Sequence, residues 1–173
     1  AATLIATDSR TATHASSLAK REATFVTLDR DDSLRGCIGT LTPLRPLGVD
    51  VVRNARAAAR DPRLPPVGED ELAELRVTVS LLSASEPIAV RAFAVLLEHL
   101  RPGQDGLTLR DTEGRRATFL PSVWARLPEP ERFVAALLRK GHWPPSLWSG
   151  ELRTATWPAD LAAERYATWS VSG

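Results

Sequence analysis

Two short runs with a β-strand pattern, joined by a polar turn, constrain the fold of this chain more than any other feature. The runs are TFVTLD (24–29) and LRGCIG (34–39), and the segment RDDS separates them. β-branched and aromatic residues favour strands, and a short polar link between two such runs predicts a β-hairpin.

The second strand of this hairpin carries the only cysteine of the chain. Side chains alternate between the two faces of a strand. One predicted face holds Leu34, Gly36 and Ile38, and the other holds Arg35, Cys37 and Gly39. We expect the apolar face to meet the core, so that Arg35 and Cys37 share the opposite side. Two glycines within six strand residues indicate a close approach by another backbone or a ligand.

Further elements follow the hairpin. Apolar residues at helical spacing predict an amphipathic helix over about 46–60. The proline-rich segment DPRLPPVGED should end this helix and hold Arg63 on a stiff loop. β-branched alternation predicts a strand within 74–90, with Ser80 on the side opposite its apolar face.

The second half of the chain predicts more elements of both kinds. RAFAVLLEHL and LPEPERFVAALLRKG have helical patterns, GLTLRD and RRATFLP should form a hairpin, and ELRTATWPA should be the last strand. The five tryptophans lie in the last third and are expected mainly to serve packing. Hairpins are present and regular βαβ repeats are absent from the predicted elements, which favours an α+β fold with a largely antiparallel mixed sheet and flanking helices. No linker divides the chain, so one domain over 1–173 is expected.

Composition argues against several classes of protein. A net charge of +1, with basic residues scattered among acidic ones, argues against nucleic-acid binding. No apolar run reaches the roughly 20 residues that a membrane span needs, and residues 1–10 lack the basic leader of a signal peptide. The arginine-rich, lysine-poor composition is typical of a bacterial gene. These patterns predict a soluble, cytoplasmic protein without membrane contact.

No residues have the spacing of a metal or cofactor site. The single cysteine and three histidines are far apart in sequence, and the histidines are His14, His99 and His142. Zinc sites need several such ligands close together. We therefore predict no metal and no cofactor.

Cys37 is the leading candidate for chemistry. A thiol becomes a nucleophile when it ionises, which a neighbouring cation favours, and Arg35 is the nearest cation along the strand. No histidine lies nearby in sequence to act as a base. The alternatives are a thiol that lines a site without reacting and a buried small hydrophobe.

Three other charged residues are candidates for the same site. Arg63 presents a fork that suits a carboxylate or phosphate, or it forms a salt bridge. Glu86 is either an acid/base group or the ion-pair partner of an arginine, and Lys140 either reaches the site or stabilises a helix C-terminus. We expect Arg63 or Glu86 within roughly 10 Å of Cys37, close enough for a ligand or water to bridge them.

Several segments together resemble the AMMECR family. TFVTLDRDDSLRGCIGTL, NARAAARDPRLPPV, LRVTVSLLSASEPI, GLTLRD with RRATFLPSVW, and FVAALLRKG follow in that family's order and spacing over about 18–157. LRGCIG with DPRLPP is the most specific part, although Leu64 stands where the family usually has phenylalanine. The resemblance implies an α+β fold of two closely joined parts and a genetic association with a Memo-like protein and a radical SAM enzyme. It implies no known reaction.

These observations predict a cleft around LRGCIG that binds a small anionic or amide-bearing ligand. In the catalytic version, Cys37 is the nucleophile or covalent carrier and Arg35 stabilises its thiolate. In the binding version, the same groove recognises a peptide or partner protein. The remaining ligand-binding residues predicted for the cleft are Gly36, Gly39, Arg63, Ser80, Glu86 and Lys140.

Overall fold

The computed structural model describes residues 17–173. The predictions made for residues 1–10 and for His14 lie outside this range. The chain forms two compact units. The first ends at Leu82 and also includes Trp169–Gly173, and the second is Ser83–Thr168.

Within residues 17–173, each unit is built on a four-stranded antiparallel sheet. The strands are β1 (Ala23–Arg30), β2 (Ser33–Gly39), β3 (Arg76–Leu82), β4 (Glu86–Ile88), β5 (Gly106–Arg110), β6 (Arg116–Phe119), β7 (Ala162–Tyr166) and β8 (Thr168–Ser172). The α-helices are α1 (Leu47–Ala58), α2 (Phe93–His99), α3 (Pro130–Lys140) and α4 (Pro145–Trp148). Short 3₁₀ turns lie at Glu69–Glu74, Pro121–Ala125 and Leu152–Thr154. The strand order is β2-β1-β3-β8 in the first unit and β4-β7-β5-β6 in the second.

The first unit packs α1 against one face of its sheet. Its small core consists of Val26, Leu28 and Ala58, with Ile38 packed against them. Gly36 faces this core as its strand position predicts, and a β-carbon there would overlap the carbonyl of Ala58. The predicted close backbone approach therefore occurs where the end of α1 meets β2.

The second unit has a larger, aromatic core. Phe93 and Phe133 are fully buried, and the rings of Trp124 and Phe133 stack with centroids 3.8 Å apart. Trp143 is also buried, whereas Trp169, on β8 of the first unit, is 64% exposed. Aromatic burial of this kind supplies a large apolar contribution to stability.

Most predicted elements are present. The hairpins and the amphipathic helices are confirmed. The run 74–90 forms two strands, because the polar segment Ser83–Ser85 interrupts it, and these strands belong to different units. The strand predicted in ELRTATWPA is wrong: Leu152–Thr154 forms a 3₁₀ turn that buries Leu152, and the last strands lie further on, in β7 and β8.

Candidate functional site

The backbone of Cys37 is held from the open side of β2 by two charged side chains. The Cys37 N–H donates to Oδ2 of Asp61 at 3.0 Å, and Nη2 of Arg63 donates to the Cys37 carbonyl at 3.0 Å. Arg63 also donates from its backbone N–H and Nε to Oδ1 of Asp61, at 3.1 and 2.9 Å. We call Asp61 and Arg63 together the clamp. It takes the place that a neighbouring strand would occupy.

The clamp forms locally, directly after α1. The Asp61 N–H bonds to the carbonyl of Ala58 at 3.2 Å, and the Leu64 N–H bonds to the carbonyl of Asp61 at 3.0 Å. Pro62 lies between the two charged residues and restricts the conformation of Asp61. The turn therefore places a carboxylate and a guanidinium two residues apart in reach of the same strand.

Asp61 is ionised in this arrangement. Its side chain is fully buried, whereas that of Arg63 is 57% exposed. Hydrogen bonds from the Arg63 guanidinium lower the pKa of Asp61 well below its ordinary value, and they outweigh the opposing effect of burial. The N–H groups of Cys37 and Arg63 add to this effect. The negative charge thus fixes the strand backbone at Cys37.

The Cys37 thiol is half-buried beside a hydroxyl group. Thr27 lies opposite Cys37 on β1, and its Oγ1 donates to Sγ at 3.4 Å. The next strand places Thr78 opposite Thr27, and its hydroxyl bonds to that of Ser172 at 2.8 Å. This face of the sheet carries small polar side chains around the thiol, as strand alternation predicted.

Ser80 lies on the same sheet face, opposite Phe25. Its hydroxyl bonds to that of Ser170 at 2.7 Å, and the residue is buried. Gly39 also lies opposite Phe25, on β2, and a β-carbon there would overlap the Phe25 ring.

Arg35 forms an ion pair with a carboxylate on the 3₁₀ turn at Glu69–Glu74. Its Nε and Nη2 donate to the two carboxylate oxygens of Glu71 at 2.9 and 2.8 Å. The hydrogen bonds from Arg35, together with one from the Gly68 N–H, lower the pKa of Glu71 to about 2. The fork of Arg35 therefore engages Glu71, and its role beside the Cys37 sulfur stays a prediction.

A second buried carboxylate, Asp50, was missed by the sequence interpretation. Asp50 lies on α1 and is fully buried. Burial alone would raise its pKa, but hydrogen bonds from Thr40, Thr24 and Arg45 lower the pKa below its ordinary value. Asn54 donates to it at 3.0 Å. The available signal was a pair of polar residues four positions apart on the buried face of an amphipathic helix.

Two of the predicted site residues belong to the second unit. Glu86 on β4 pairs with Arg165 at 3.4 Å. Lys140 ends α3, donates to the carbonyl of Thr118 at 2.8 Å and lies over the Phe119 ring at 5.0 Å. Both residues have partners within their own unit. The first unit brings together the other predicted residues, which are Arg35, Gly36, Cys37, Gly39, Arg63 and Ser80.

An open groove of about 530 Å³ lies in the second unit, and none of the predicted site residues lines it. Ile88, Val90 and Trp157 form part of its apolar lining, and Arg91 and Arg110 contribute positive charge. Within residues 17–173, no group of three or more His, Cys, Asp and Glu side chains is arranged to hold a metal ion. None of the helices described is both long and apolar enough to span a bilayer.

Comparison with known proteins relates most of the chain to one family. The AMMECR1 family model matches residues 2–161. A protein from Methanothermobacter thermautotrophicus is 35% identical over 151 residues, covering 84% of this chain and 77% of that protein. A Thermotoga maritima protein is 42% identical over 104 residues, covering 55% of this chain and 59% of its own length. The predicted bacterial origin stays a prediction.

A solved structure shares the same fold. The crystal structure of uncharacterized protein PH0010 from Pyrococcus horikoshii matches with a TM-score of 0.79 and 29% identity, covering 91% of this chain and 76% of that one. The α+β class expected from the hairpins is therefore confirmed. Together with the matched family model, these similarities show that the chain belongs to the AMMECR1 family.

Proposed function

We propose that the first unit is a binding module in which the Cys37 thiol contacts a small anionic or amide-bearing ligand. The observation that carries this proposal is the clamp. Two charged side chains, one of them fully buried, bond to both backbone groups of a single strand residue. A backbone held this firmly fixes the position of its side chain, which is what a recognition or reacting group requires.

Arg63 supports an anionic ligand class. Its hydrogen bonds to Asp61 and Cys37 come from its backbone N–H, Nε and Nη2, and the side chain is 57% exposed. Arginine has five N–H donors, so the Nη1 side of the fork is left to meet a carboxylate or phosphate. The amide class is supported by Thr27 and Thr78, whose hydroxyl groups lie on the Cys37 face.

The catalytic version adds one requirement to the binding version. The sulfur must react as a thiolate with an electrophilic carbon of the bound molecule, whereas binding requires only contact. Both versions need a thiol that is accessible in the folded protein. In both, Arg35 and Gly39 shape the surroundings of Cys37.

The experiment is alkylation of the folded protein with iodoacetamide. Because Cys37 is the only cysteine, one adduct in an intact mass spectrum reports its reaction. We expect alkylation under native conditions and slower alkylation when inorganic phosphate or N-methylacetamide is added. Arg63→Lys should weaken the protection by phosphate, since lysine lacks the fork. Arg60→Lys, an exposed arginine in the same segment, is the matched control.

Alkylation that requires unfolding would reject the proposed site for both versions. Native alkylation that neither phosphate nor N-methylacetamide slows would reject the ligand class. Circular dichroism of each variant separates loss of binding from loss of fold.

A peptide or partner protein is the second candidate occupant, with Cys37 lining the groove. The hydroxyl groups on the Cys37 face favour it, because they can bond to peptide groups. The family resemblance suggests a Memo-like protein and a radical SAM enzyme as partners, in a cytoplasmic setting where a lone thiol stays reduced. Co-purification of this chain with each protein tests this candidate, and protection of Cys37 from alkylation in the complex would locate the contact.

A further inference from the structure

In the part of the chain that the structure describes, four strands lie at sheet edges, and three of them are blocked against pairing with another strand. The clamp occupies both backbone groups of Cys37 on β2. β4 has only three residues and contains Pro87, which cannot donate a backbone hydrogen bond. On β6, Lys140 donates to the carbonyl of Thr118. Short strands, prolines and lysines at an edge are the usual protection against unwanted pairing.

The fourth outermost strand, β8, has none of these features. Its five residues, TWSVS, include no charge and no proline. Gly173, the next residue, exchanges backbone hydrogen bonds with Val77 on β3 at 3.0 and 3.1 Å. Because antiparallel strands alternate their bonding direction, the N–H and C=O groups of Ser170 and Ser172 point away from β3. No strand within residues 17–173 pairs with this outer side, so among the described residues β8 presents unblocked hydrogen-bonding groups at the sheet edge.

The side chains of β8 add an apolar surface to this edge. The hydroxyls of Ser170 and Ser172 bond to Ser80 and Thr78 on the Cys37 face, so Trp169 and Val171 project from the other face. Trp169 is 64% exposed and Val171 is 73% exposed. A large aromatic and a β-branched residue side by side on an open strand are suited to cross-strand packing.

We infer that β8 pairs antiparallel with β8 of a second copy of this chain, with Ser170 facing Ser170 across a two-fold axis. This register places Trp169 of each copy opposite Val171 of the other, in the close, non-hydrogen-bonded positions of the ladder. The two copies then form the pair of Trp169 and Val171 twice, and no like charges face each other across the interface. The self-complementary sequence of β8 therefore favours a second copy over a different protein.

The β8 edge is separate from the proposed ligand site. It lies after residue 161, where the match to the family model ends. It also involves the face of the sheet opposite the Cys37 thiol. Loss of the dimer would therefore leave native alkylation of Cys37 unchanged. Either proposal can be wrong while the other is right.

The experiment is sedimentation equilibrium of the full chain over a series of concentrations, with two charged variants. Five paired residues form a small interface, so the series should extend to about 1 mM. We expect the wild type to dimerise, and Trp169→Lys and Val171→Glu each to weaken dimerisation by about tenfold or more. Leu72→Lys, at a residue that is 58% exposed on a 3₁₀ turn, is the matched control and should dimerise as the wild type does.

Mixing the two variants tests the register. In a mixed dimer, the amine introduced at 169 meets the carboxylate introduced at 171, while the other Trp169 and Val171 pair remains intact. We expect the equimolar mixture to recover dimerisation. A wild type that stays monomeric, variants that dimerise like the wild type, or a mixture that stays monomeric would each overturn the inference. Circular dichroism should confirm that both variants are folded.

Discussion

Two loops, one in each unit, pair a buried aspartate with a partly exposed arginine, to different effect. In the first unit, Asp61 binds the backbone and guanidinium of Arg63. In the second, Asp105 binds the backbone of Arg101 at 2.8 Å and its Nη2 at 2.7 Å. Both aspartates are at most 2% exposed. The Asp105 pair closes its own turn, whereas the Asp61 pair also bonds to Cys37 on a strand 24 residues earlier.

The difference shows what marks a candidate site in this fold. Both loops pair a buried carboxylate with an arginine, since each carboxylate needs partners when it leaves water. Both loops also have a long-range hydrogen bond. In the Asp105 loop it runs from Trp124 Nε1 to the backbone carbonyl of Asp105, whereas in the Asp61 loop the paired side chains themselves bond to a distant strand. Those side-chain bonds fix the residue that carries the thiol, so the two loops differ in what the pair bonds to rather than in the kind of pair.

Asp61→Asn should have the largest effect and should separate the two loops. An asparagine accepts through one oxygen only and turns an amino group toward the donors of Arg63 or Cys37. We expect a loss of about 3 kcal/mol in the free energy of unfolding, moderated by the exposure of Arg63. Urea unfolding measures this loss. Amide exchange at Cys37 should also become at least about tenfold faster, because the Cys37 N–H and Arg63 then compete for a single acceptor oxygen.

Asp105→Asn is the matched control for this experiment. It should cost a similar free energy of unfolding and leave amide exchange at Cys37 unchanged when both proteins are compared in the folded state. Equal acceleration of exchange at Cys37 in both variants would show that the Asp61 loop has no special hold on the strand.

Gly36→Ala should disturb the first unit by a different route. The added methyl group would overlap the backbone carbonyl of Ala58, which accepts a hydrogen bond from the N–H of Asp61, the first residue of the clamp. We expect a loss of about 2 kcal/mol in the free energy of unfolding, as for other overpacked sites. Gly150→Ala, where no atom lies within 4 Å of the new β-carbon, should unfold at the same urea concentration as the wild type. A Gly36→Ala variant of unchanged stability would mean that α1 does not press on β2.

Acid should weaken the Arg35–Glu71 pair over a defined range of pH. The pKa of Glu71 is lowered from 4.5 to about 2 in the folded protein. The contribution of the ionised carboxylate to the free energy of unfolding is therefore fully present above about pH 4.5 and is lost as the pH falls toward about 2. The difference in urea midpoint between wild type and Glu71→Gln should therefore be constant near neutral pH and narrow below about 4.5. Glu69→Gln, on the same turn, is the control. A difference that is independent of pH would contradict the pairing.

Thr27→Val should have the smallest effect. It removes the hydroxyl that donates to the Cys37 sulfur and keeps the side-chain volume. Because hydrogen bonds to sulfur are weak, we expect less than about 1 kcal/mol in stability and about a twofold slower alkylation by iodoacetamide. Thr78→Val, which removes a hydroxyl bonded to Ser172 instead, should leave the alkylation rate unchanged. Equal rates for wild type and Thr27→Val would show that the hydroxyl does not influence the thiol.

Local patterns were sufficient to predict much of the first unit. Alternation placed Gly36 toward the core and Cys37 on the other face, and helical spacing located α1 to within two residues at each end. Long-range contacts were harder to predict. Arg35 could reach either Cys37 or a carboxylate, and the 3₁₀ turn that brings Glu71 to it has no sequence signal of comparable strength.

Asp61 was visible in the DPRLPP segment but was passed over in favour of Arg63. A carboxylate two residues before an arginine, with proline between them, can form a local pair, and this was the missed signal. In the last segment, the alternation in ERYATWSVS was the missed signal for β7 and β8, whereas ELRTATWPA contains a Trp-Pro pair that interrupts strand pairing.

The clamp has a consequence for how this protein can change over evolutionary time. It bonds to the backbone of residue 37 and would hold serine or alanine there in the same way. The clamp by itself therefore does not restrict which side chain stands at position 37. A cysteine retained there across diverging relatives would be retained for a reason that the clamp does not supply, and its replacement in a lineage that keeps Asp61 and Arg63 would separate the role of the thiol from that of the clamp.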